Sequence, residues 1–410
     1  MTATPCRFCG ASLEHVFCDL GMSPLANSYL PPERQNAMEP FYPLRALVCS
    51  ECFLVQLEEF ETAEHIFSDY AYFSSYSTSW LEHSKRYVDE MVGRLGLDES
   101  SHVVEIASND GYLLKFFHER QISVLGIEPA ANVAKVALQK GIPTLVEFFG
   151  VETATSVKEE SQADLLLGNN VLAHVPDIND FVGGMKVLLK PGGVITMEFP
   201  HLQKLIDLRQ WDTIYHEHFS YLSFTTASKV FAAHGLRLFD VQELPTHGGS
   251  LRIFGCHADD ASKPITDAAT ALLEREAAAG FLDIETYVAF GEQVHADKRR
   301  ILEFLTGLKD EGKRIVGYGA PAKGNTMLNY CGVRTDFLEY TCDLNPHKQG
   351  SVLPGTHIPI VSPDAIMETK PDVVLILPWN LRDEITEQLS EISSWGGRFA
   401  ARDPELKLLG

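Results

Sequence analysis

The stretch His102 to Phe117, HVVEIASNDGYLLKFF, decides the fold. A short apolar run, a tight turn at Ala107 to Gly111 and a helical pattern read as strand, turn and helix. The unit recurs in VLGIEPAANVAKVALQKG (Val124 to Gly141). It continues in TLVEFFG (Thr144 to Gly150), ADLLLGNNVLAHV (Ala163 to Val175) and GGVITMEF (Gly192 to Phe199). Such alternation predicts a parallel sheet covered by helices on both faces, with ligands at the carboxyl ends of the strands.

Two features narrow this α/β class. The first turn is short, and the second strand ends in an acid, Glu128, whose carboxylate can accept both hydroxyls of a ribose. Farther on, GLRLFDVQELPTHGGSLRIFGCH (Gly235 to His257) reads as two strands joined through His247-Gly248-Gly249. A parallel sheet ending in an antiparallel hairpin is the class I methyltransferase pattern, a Rossmann-like domain unlike that of dehydrogenases. The turn departs from the usual E/D-x-G-x-G-x-G, because Ala107 and Asn109 stand where glycines are expected and Gly111 alone remains. A positive φ at Ala107 would be strained; a different turn is the alternative.

Working toward the N-terminus, Cys6-Arg-Phe-Cys9 and Cys49-Ser-Glu-Cys52 form two C-x2-C knuckles. Four thiolates close a tetrahedral zinc site and leave no open position, so the Zn2+ is expected to be structural. Cys18 and His15, between the pairs, are weaker substitutes. Toward the C-terminus, helix formers follow about Ala258, then RIVGYGAPAKGNTMLNYCG (Arg314 to Gly332) and PDVVLILPWNLRDEITEQL (Pro371 to Leu389) predict a second Rossmann-like sheet. The expected organisation is three domains, 1–66 zinc-binding, 67–256 methyltransferase and 257–410 α/β, in keeping with roughly 150 residues per domain across 410 residues.

The chain is 45% hydrophobic and 22% charged, ordinary for a globular protein. With 56 acidic against 34 basic residues its net charge is -22, which disfavours nucleic acid and anionic membrane as partners. The start MTATPCRFCG lacks a secretory profile, and no run approaches the roughly 18 apolar residues of a membrane span, so a cytoplasmic address is expected. An anionic ligand needs a local basic pocket. Lys323 in the second glycine turn, Lys348 in DLNPHKQG, and Lys298 with Arg299 are the candidates.

The densest polar cluster is TIYHEHFSYLSF, Thr213 to Phe224. His216 and His218 could supply two metal ligands, but a catalytic zinc wants a third, and the H-E-x-x-H spacing is absent. A proton-transfer site and a plain polar loop are the other readings.

Taken in order, C-x2-C, C-x2-C, EIASNDG, IEP, NNVLAHVPD, IYHEHFSYLS, HGGSLR and GYGAPAKGNTMLN, the whole chain resembles the sugar C-methyltransferases of deoxysugar biosynthesis. The group it is most similar to comprises C-3' methyltransferases of nucleoside-diphosphate 4-keto sugars, such as the tetronitrose-pathway enzyme. The resemblance implies S-adenosyl-L-methionine as cofactor, in contact with Ala107, Asn109 and Gly111, with Glu128 on the ribose. Phe148 and Phe149 could flank the adenine, and of Asn169 and Asn170 the second is preferred at the site.

The implied substrate is a nucleoside-diphosphate, by preference dTDP, 4-keto-deoxysugar, and the implied reaction is methylation at C-3' by a monomer. Methylating that carbon needs a base to remove its proton, donors for the enolate oxygen, and exclusion of water. Histidine, with an ordinary pKa of about 6.5, suits the first task. The family motif Tyr-x-Glu-His matches Tyr215, Glu217 and His218, leaving His216 in the variable slot. His218 is expected to be the base, Glu217 to orient it or bind the sugar, and Tyr215 to contact the C-4' oxygen. The resemblance adds His174 beyond the fourth strand and a tyrosine of SDYAYFSSYSTSW, with Tyr72 matching better than Tyr70 or Tyr76. His247, Lys298, Lys323, Lys348 and Tyr70 are expected to bind substrate. Methylation of another keto sugar or keto acid, and a nonenzymatic sugar-nucleotide or zinc scaffold protein, are the alternatives.

Overall fold

The first strands of the chain, β1 (His15–Ser23) and β2 (Tyr42–Val48), pair antiparallel with a register that shifts twice. The computed structural model describes residues 4–62, 74–76, 78–402 and 404–409, and the expected site tyrosines Tyr70 and Tyr72 fall outside them. Two units emerge, each drawn from three separate stretches. The first comprises Met1–Leu13, Cys49–Leu202 and Glu217–Asp283; the second comprises Glu14–Val48, Gln203–His216 and Ile284–Gly410.

In the first unit, β3 (Val55–Leu57) precedes the helix α1 (Thr78–Leu95), and a seven-stranded sheet follows. Its members are β4 (His102–Ile106), β5 (Ser123–Ile127), β6 (Thr144–Leu145), β7 (Ala163–Asn169) and β8 (Leu189–Pro200). After a short β9 (Ser220–Tyr221) come β10 (Leu236–Leu244) and β11 (Ser250–His257). The order is β10-β11-β8-β7-β4-β5-β6. Strands β4 to β8 run parallel, and β11 lies antiparallel between β8 and β10. This is the class I methyltransferase arrangement, including the expected antiparallel hairpin.

Both faces of the parallel strands are covered, which is why they read as unbroken apolar runs rather than alternating ones. Tyr87, Val88 and Met91 of α1 pack with Val103 of β4, Leu165 and Leu167 of β7 and Phe254 of β11 in one core. Two of the connecting helices start on side-chain caps. Asp177 accepts the Asn179 and Asp180 N–H groups, and Ser223 accepts that of Thr226.

The second unit holds a six-stranded sheet. A 21-residue helix, α2 (Phe290–Asp310), leads into β12 (Ile315–Tyr318), α3 (Ala322–Cys331), β13 (Thr341–Cys342), β14 (Ile360–Val361), β15 (Val373–Ile376), β16 (Arg398–Arg402) and β17 (Leu406–Leu408). The order β14-β13-β12-β15-β16-β17 is parallel except for β17. The predicted second α/β sheet is therefore present. No helix among the described residues is long and apolar enough to cross a membrane.

Candidate functional site

The metal site is built from two turns of the same design. Gly10 N–H closes on Cys6 O (2.9 Å) and Phe53 N–H closes on Cys49 O (3.0 Å), and both closing residues are left-handed, at φ 77° and 66°. Each turn points two sulfurs inward. Cys6 Sγ lies 3.6 Å from Cys52 Sγ, Cys9 Sγ lies 3.5 Å from Cys49 Sγ, and all four sit within 4.8 Å of one another. A ZnS4 tetrahedron with bonds of about 2.3 Å has edges of about 3.8 Å, so the set fits zinc with little rearrangement. Cys18 is buried and is not part of this group.

The carboxyl end of the sheet, where the cofactor is expected, centres on the turn after β4. Ala107 N–H donates to Ile127 O (2.8 Å), and Asn109 N–H donates to Glu128 Oε2 (2.9 Å). Ala107, Asn109 and Gly111 all take left-handed φ values, 55°, 51° and 74°. Of the two alternatives for Ala107, the structure takes the strained left-handed one. Asn109 has its own reason to replace glycine, because its Oδ1 accepts the Ser74 N–H (3.0 Å). Gly126 is obligatory, since a Cβ there would lie 2.3 Å from Ser108 Oγ.

Glu128, one residue beyond β5, is buried, and burial raises its carboxyl above the usual range. Its Oε1 accepts the Ala130 N–H (2.9 Å), so each oxygen has one amide and retains a second lone pair. That pair of acceptors fits the paired hydroxyls of a ribose. At the end of β7, Asn170 is left-handed (φ 55°), donates its N–H to Glu198 O (2.7 Å), and holds a buried Oδ1 with no hydrogen-bond partner among the described residues. An acceptor left open there is what a bound cofactor or substrate would satisfy. Phe149 packs edge-on against Phe181 (5.3 Å between centroids), while Phe148 is exposed.

Beside this end lie two histidines from distant stretches. His174 Nδ1 lies 2.8 Å from Glu217 O, and the rings of His174 and His218 stand edge to face at 4.6 Å. Tyr221 continues the stack 6.0 Å from His218. A carbonyl can only accept, so His174 carries its proton on Nδ1 and presents Nε2 as an acceptor. Burial pulls His174 down to about 4, against the pull of the Glu217 carbonyl and with help from His247.

Sequence reasoning missed the wall around these groups. Glu198 near the end of β8 accepts from Thr246 Oγ1 (2.8 Å) and Arg252 Nη2 (2.9 Å) and bonds His83 Nε2 (2.9 Å). Its carboxyl is lowered by His83 and Arg252 in spite of burial. Trp80 stacks on His83 at 4.9 Å and meets His247 edge-on at 5.5 Å. Thr246 thereby tethers the loop on which His247 sits at φ 55°. Glu105, the acid that opens the turn motif, is also fully buried, and burial pushes its carboxyl well up. That residue was legible in the motif; Glu198, His83 and Arg252 were not, being 54 to 169 residues apart.

In the second unit, His216 Nε2 lies 3.1 Å from Pro43 O and its ring meets Tyr42 edge-on at 5.9 Å. Lys323 Nζ donates to Asn380 Oδ1 (2.7 Å) and lies 4.5 Å over the Trp379 ring; burial brings it down to about 8. Lys348 Nζ donates to Ala320 O (2.9 Å), and Lys298 Nζ lies 4.5 Å over the Tyr330 ring.

Family models match the chain in three stretches: a zinc binding domain at residues 6–67, a methyltransferase domain at 80–241 and a C-methyltransferase C-terminal domain at 245–404. C-methyltransferase NovU of Streptomyces niveus is 35% identical over 405 residues, 98% of this chain and 96% of that protein. A ubiquinone biosynthesis O-methyltransferase of Rhodopseudomonas palustris (strain HaA2) is 26% identical over 96 residues, 23% of this chain and 38% of its own length. Among solved structures, the CcbJ methyltransferase of Streptomyces caelestis is 13% identical, with a TM-score of 0.35, covering 43% of this chain and 90% of that one. The chain belongs to the S-adenosylmethionine-dependent C-methyltransferases and carries their zinc binding domain.

Proposed function

We propose that the protein methylates C-3' of a nucleoside-diphosphate 4-keto-deoxysugar, by preference a dTDP sugar, through an enolate. The observation that carries this reading is the pair of imidazoles from His174 and His218, 4.6 Å apart at the carboxyl end of the sheet. Two imidazolium ions at that distance repel, so the pair takes up at most one proton. His174, held down to about 4 by burial and committed through Nδ1 to the Glu217 carbonyl, is the weaker base of the two, which leaves the base role to His218.

His218 takes the C-3' proton, and the electrons of that C–H bond pass to the C-4' oxygen. Tyr215 O–H donates to this oxygen as charge develops, where a preformed donor lowers the barrier most. Glu217 acts through its backbone on His174 and through its carboxylate on the sugar. His174 Nε2 accepts from a sugar hydroxyl. S-adenosylmethionine, when bound, supplies a sulfonium-activated methyl to the enolate carbon. Tyr72 is proposed as a further catalytic group, with Tyr70 and His247 lining the sugar.

The diphosphate falls to Lys323, Lys348 and Lys298, of which Lys323 leads. An ammonium brought down to about 8 by burial is restored by a doubly charged neighbour. The net charge of -22 makes such a local cation necessary.

The test is exchange of C-3' deuterium from a labelled keto sugar, followed by NMR. The wild-type protein is expected to wash the label out, and His218→Asn and His218→Ala to bind both ligands and retain it. Exchange persisting in both variants would move the base to His174 or Tyr72.

A further inference from the structure

The first zinc knuckle holds a residue that metal binding does not explain. Arg7 lies between Cys6 and Cys9 in sequence, yet its side chain turns away from the sulfurs. Nη1 donates to Pro176 O (2.6 Å), Nη2 donates to Leu57 O, and the guanidinium carbon lies 5.4 Å from the centre of the Phe219 ring. Pro176 is two residues after His174, and Phe219 directly follows His218. Leu57 belongs to β3 and its N–H donates to Phe219 O (3.1 Å). One side chain therefore grips the carrier segments of both histidines.

The backbone of the knuckle is held to the same segments. Asn179 Nδ2 donates to Arg7 O (3.0 Å) and Phe8 O (2.9 Å). Arg7 N–H donates to Gln56 Oε1 (2.9 Å), and Gln56 Nε2 reaches Cys6 Sγ (3.2 Å). Gln56 is the strand partner of Ser220, two residues from His218. Thr226 Oγ1 donates to Cys52 O (3.3 Å).

An arginine bridging two neutral carbonyls is a poor way to gain stability. Glu59 and Asp177 attract the guanidinium by charge, but its hydrogen-bonded acceptors Pro176 O and Leu57 O are uncharged, and its buried Nε has no partner among the described residues. It is a good way to fix two backbones at a set separation, because the guanidinium fork is rigid and planar.

We infer that Arg7 is a positioning residue that ties the metal-bound knuckle to the His174 and His218 segments and sets the spacing of the two imidazoles. The inference rests on the proposed role of those histidines, but the spacing can be read without substrate. An incorrectly spaced base is costly, since a displacement of about 1 Å can lower a rate about 100-fold.

The experiment uses the full zinc-loaded chain as wild type, Arg7→Ala and Arg7→Lys. Zinc per chain is measured by metal analysis, histidine titration by NMR on labelled imidazoles, and kcat and KM on a keto-sugar substrate. Arg7→Ala is expected to keep its zinc, to lose roughly 100-fold in kcat with KM nearly unchanged, and to let the His174 midpoint rise from about 4 toward 6.5. Arg7→Lys, which keeps the charge but not the fork, should fall between. Wild-type histidine midpoints and kcat in zinc-loaded Arg7→Ala would overturn the inference. So would loss of zinc from both variants, which would make Arg7 part of the knuckle's own folding. If the wild type turns over no keto sugar, the proposed function fails while the imidazole titrations still decide the role of Arg7.

Discussion

The molecule contains two glycine-bearing turns with the same topology and opposite fates. One follows β4 in the first unit, the other follows β12 in the second. In each, an amide of the turn is held by the acid at the end of the neighbouring parallel strand: Asn109 N–H by Glu128, and Ala320 N–H by Asp343 Oδ2 (2.7 Å). In each, a second amide reaches that strand, Ala107 to Ile127 O and Gly319 to Cys342 O (2.6 Å). The first turn has three left-handed residues in five, and beside it Asn170 Oδ1 is buried with no hydrogen-bond partner among the described residues.

The backbone of the second turn is closed off by protein, so the diphosphate role proposed for Lys323 falls to its side chain and not to the turn amides. A Cβ at Gly319 would meet Pro378 Cδ at 2.6 Å, and one at Gly324 would meet Leu377 Cβ at 2.9 Å. Ala320 O already accepts from Tyr29 O–H and from Lys348 Nζ. A shared strand-turn-helix plan thus specifies a possible ligand site, and the side chains packed around it decide whether one remains.

The largest test of this contrast is calorimetric. Glu128→Ala should weaken S-adenosylmethionine binding roughly 100-fold or more, because two charge-assisted hydroxyl bonds are lost. Asp343→Ala should leave that affinity and a stoichiometry of one unchanged, while lowering the denaturation midpoint. Equal loss of cofactor affinity in both would erase the distinction.

The next effect is on stability. Gly319→Ala should cost about 3 kcal/mol, since it adds both a left-handed penalty at φ 87° and a clash with Pro378. Ala107→Gly should be neutral to stabilising by up to about 1 kcal/mol, because it relieves a left-handed alanine at some entropic cost. Urea titration of both variants measures the pair.

The smallest effect is a pH slope. His174 holds its proton at about 4 in the folded chain and at 6.5 in the unfolded one. Across that window the unfolded chain binds more protons, so stability rises with pH and is lost as acid is added from 6.5 toward 4. His174→Asn should flatten that slope in urea midpoints, leaving the shares of His102, His216 and His234, which burial also lowers.

The contrast also shows what was legible in advance. Both turns were readable, because a strand-turn-helix unit is written in contiguous residues. So were the four cysteines, because C-x2-C spacing is local and the ion brings the pairs together. The left-handed Ala107 could be posed as a question only, since its answer lies in what Ile127 and Glu128 require of that backbone. The Glu198, His83 and Arg252 cluster was invisible, because strand order and the packing of α1 assemble it. The filling of the second turn was equally hidden: Pro378, Asp343 and Tyr29 come from three separate segments, and nothing in GYGAPAKG announces them.

The central claim is carbon methylation next to a ketone, and the direct measurement is where the methyl goes. The full chain is incubated with methyl-labelled S-adenosylmethionine and a panel of nucleoside-diphosphate keto sugars, and the product is assigned by NMR. The account predicts a labelled methyl bonded to C-3' of a 4-keto sugar. A label found on oxygen, or no transfer to any keto sugar while a keto acid is methylated, would contradict it.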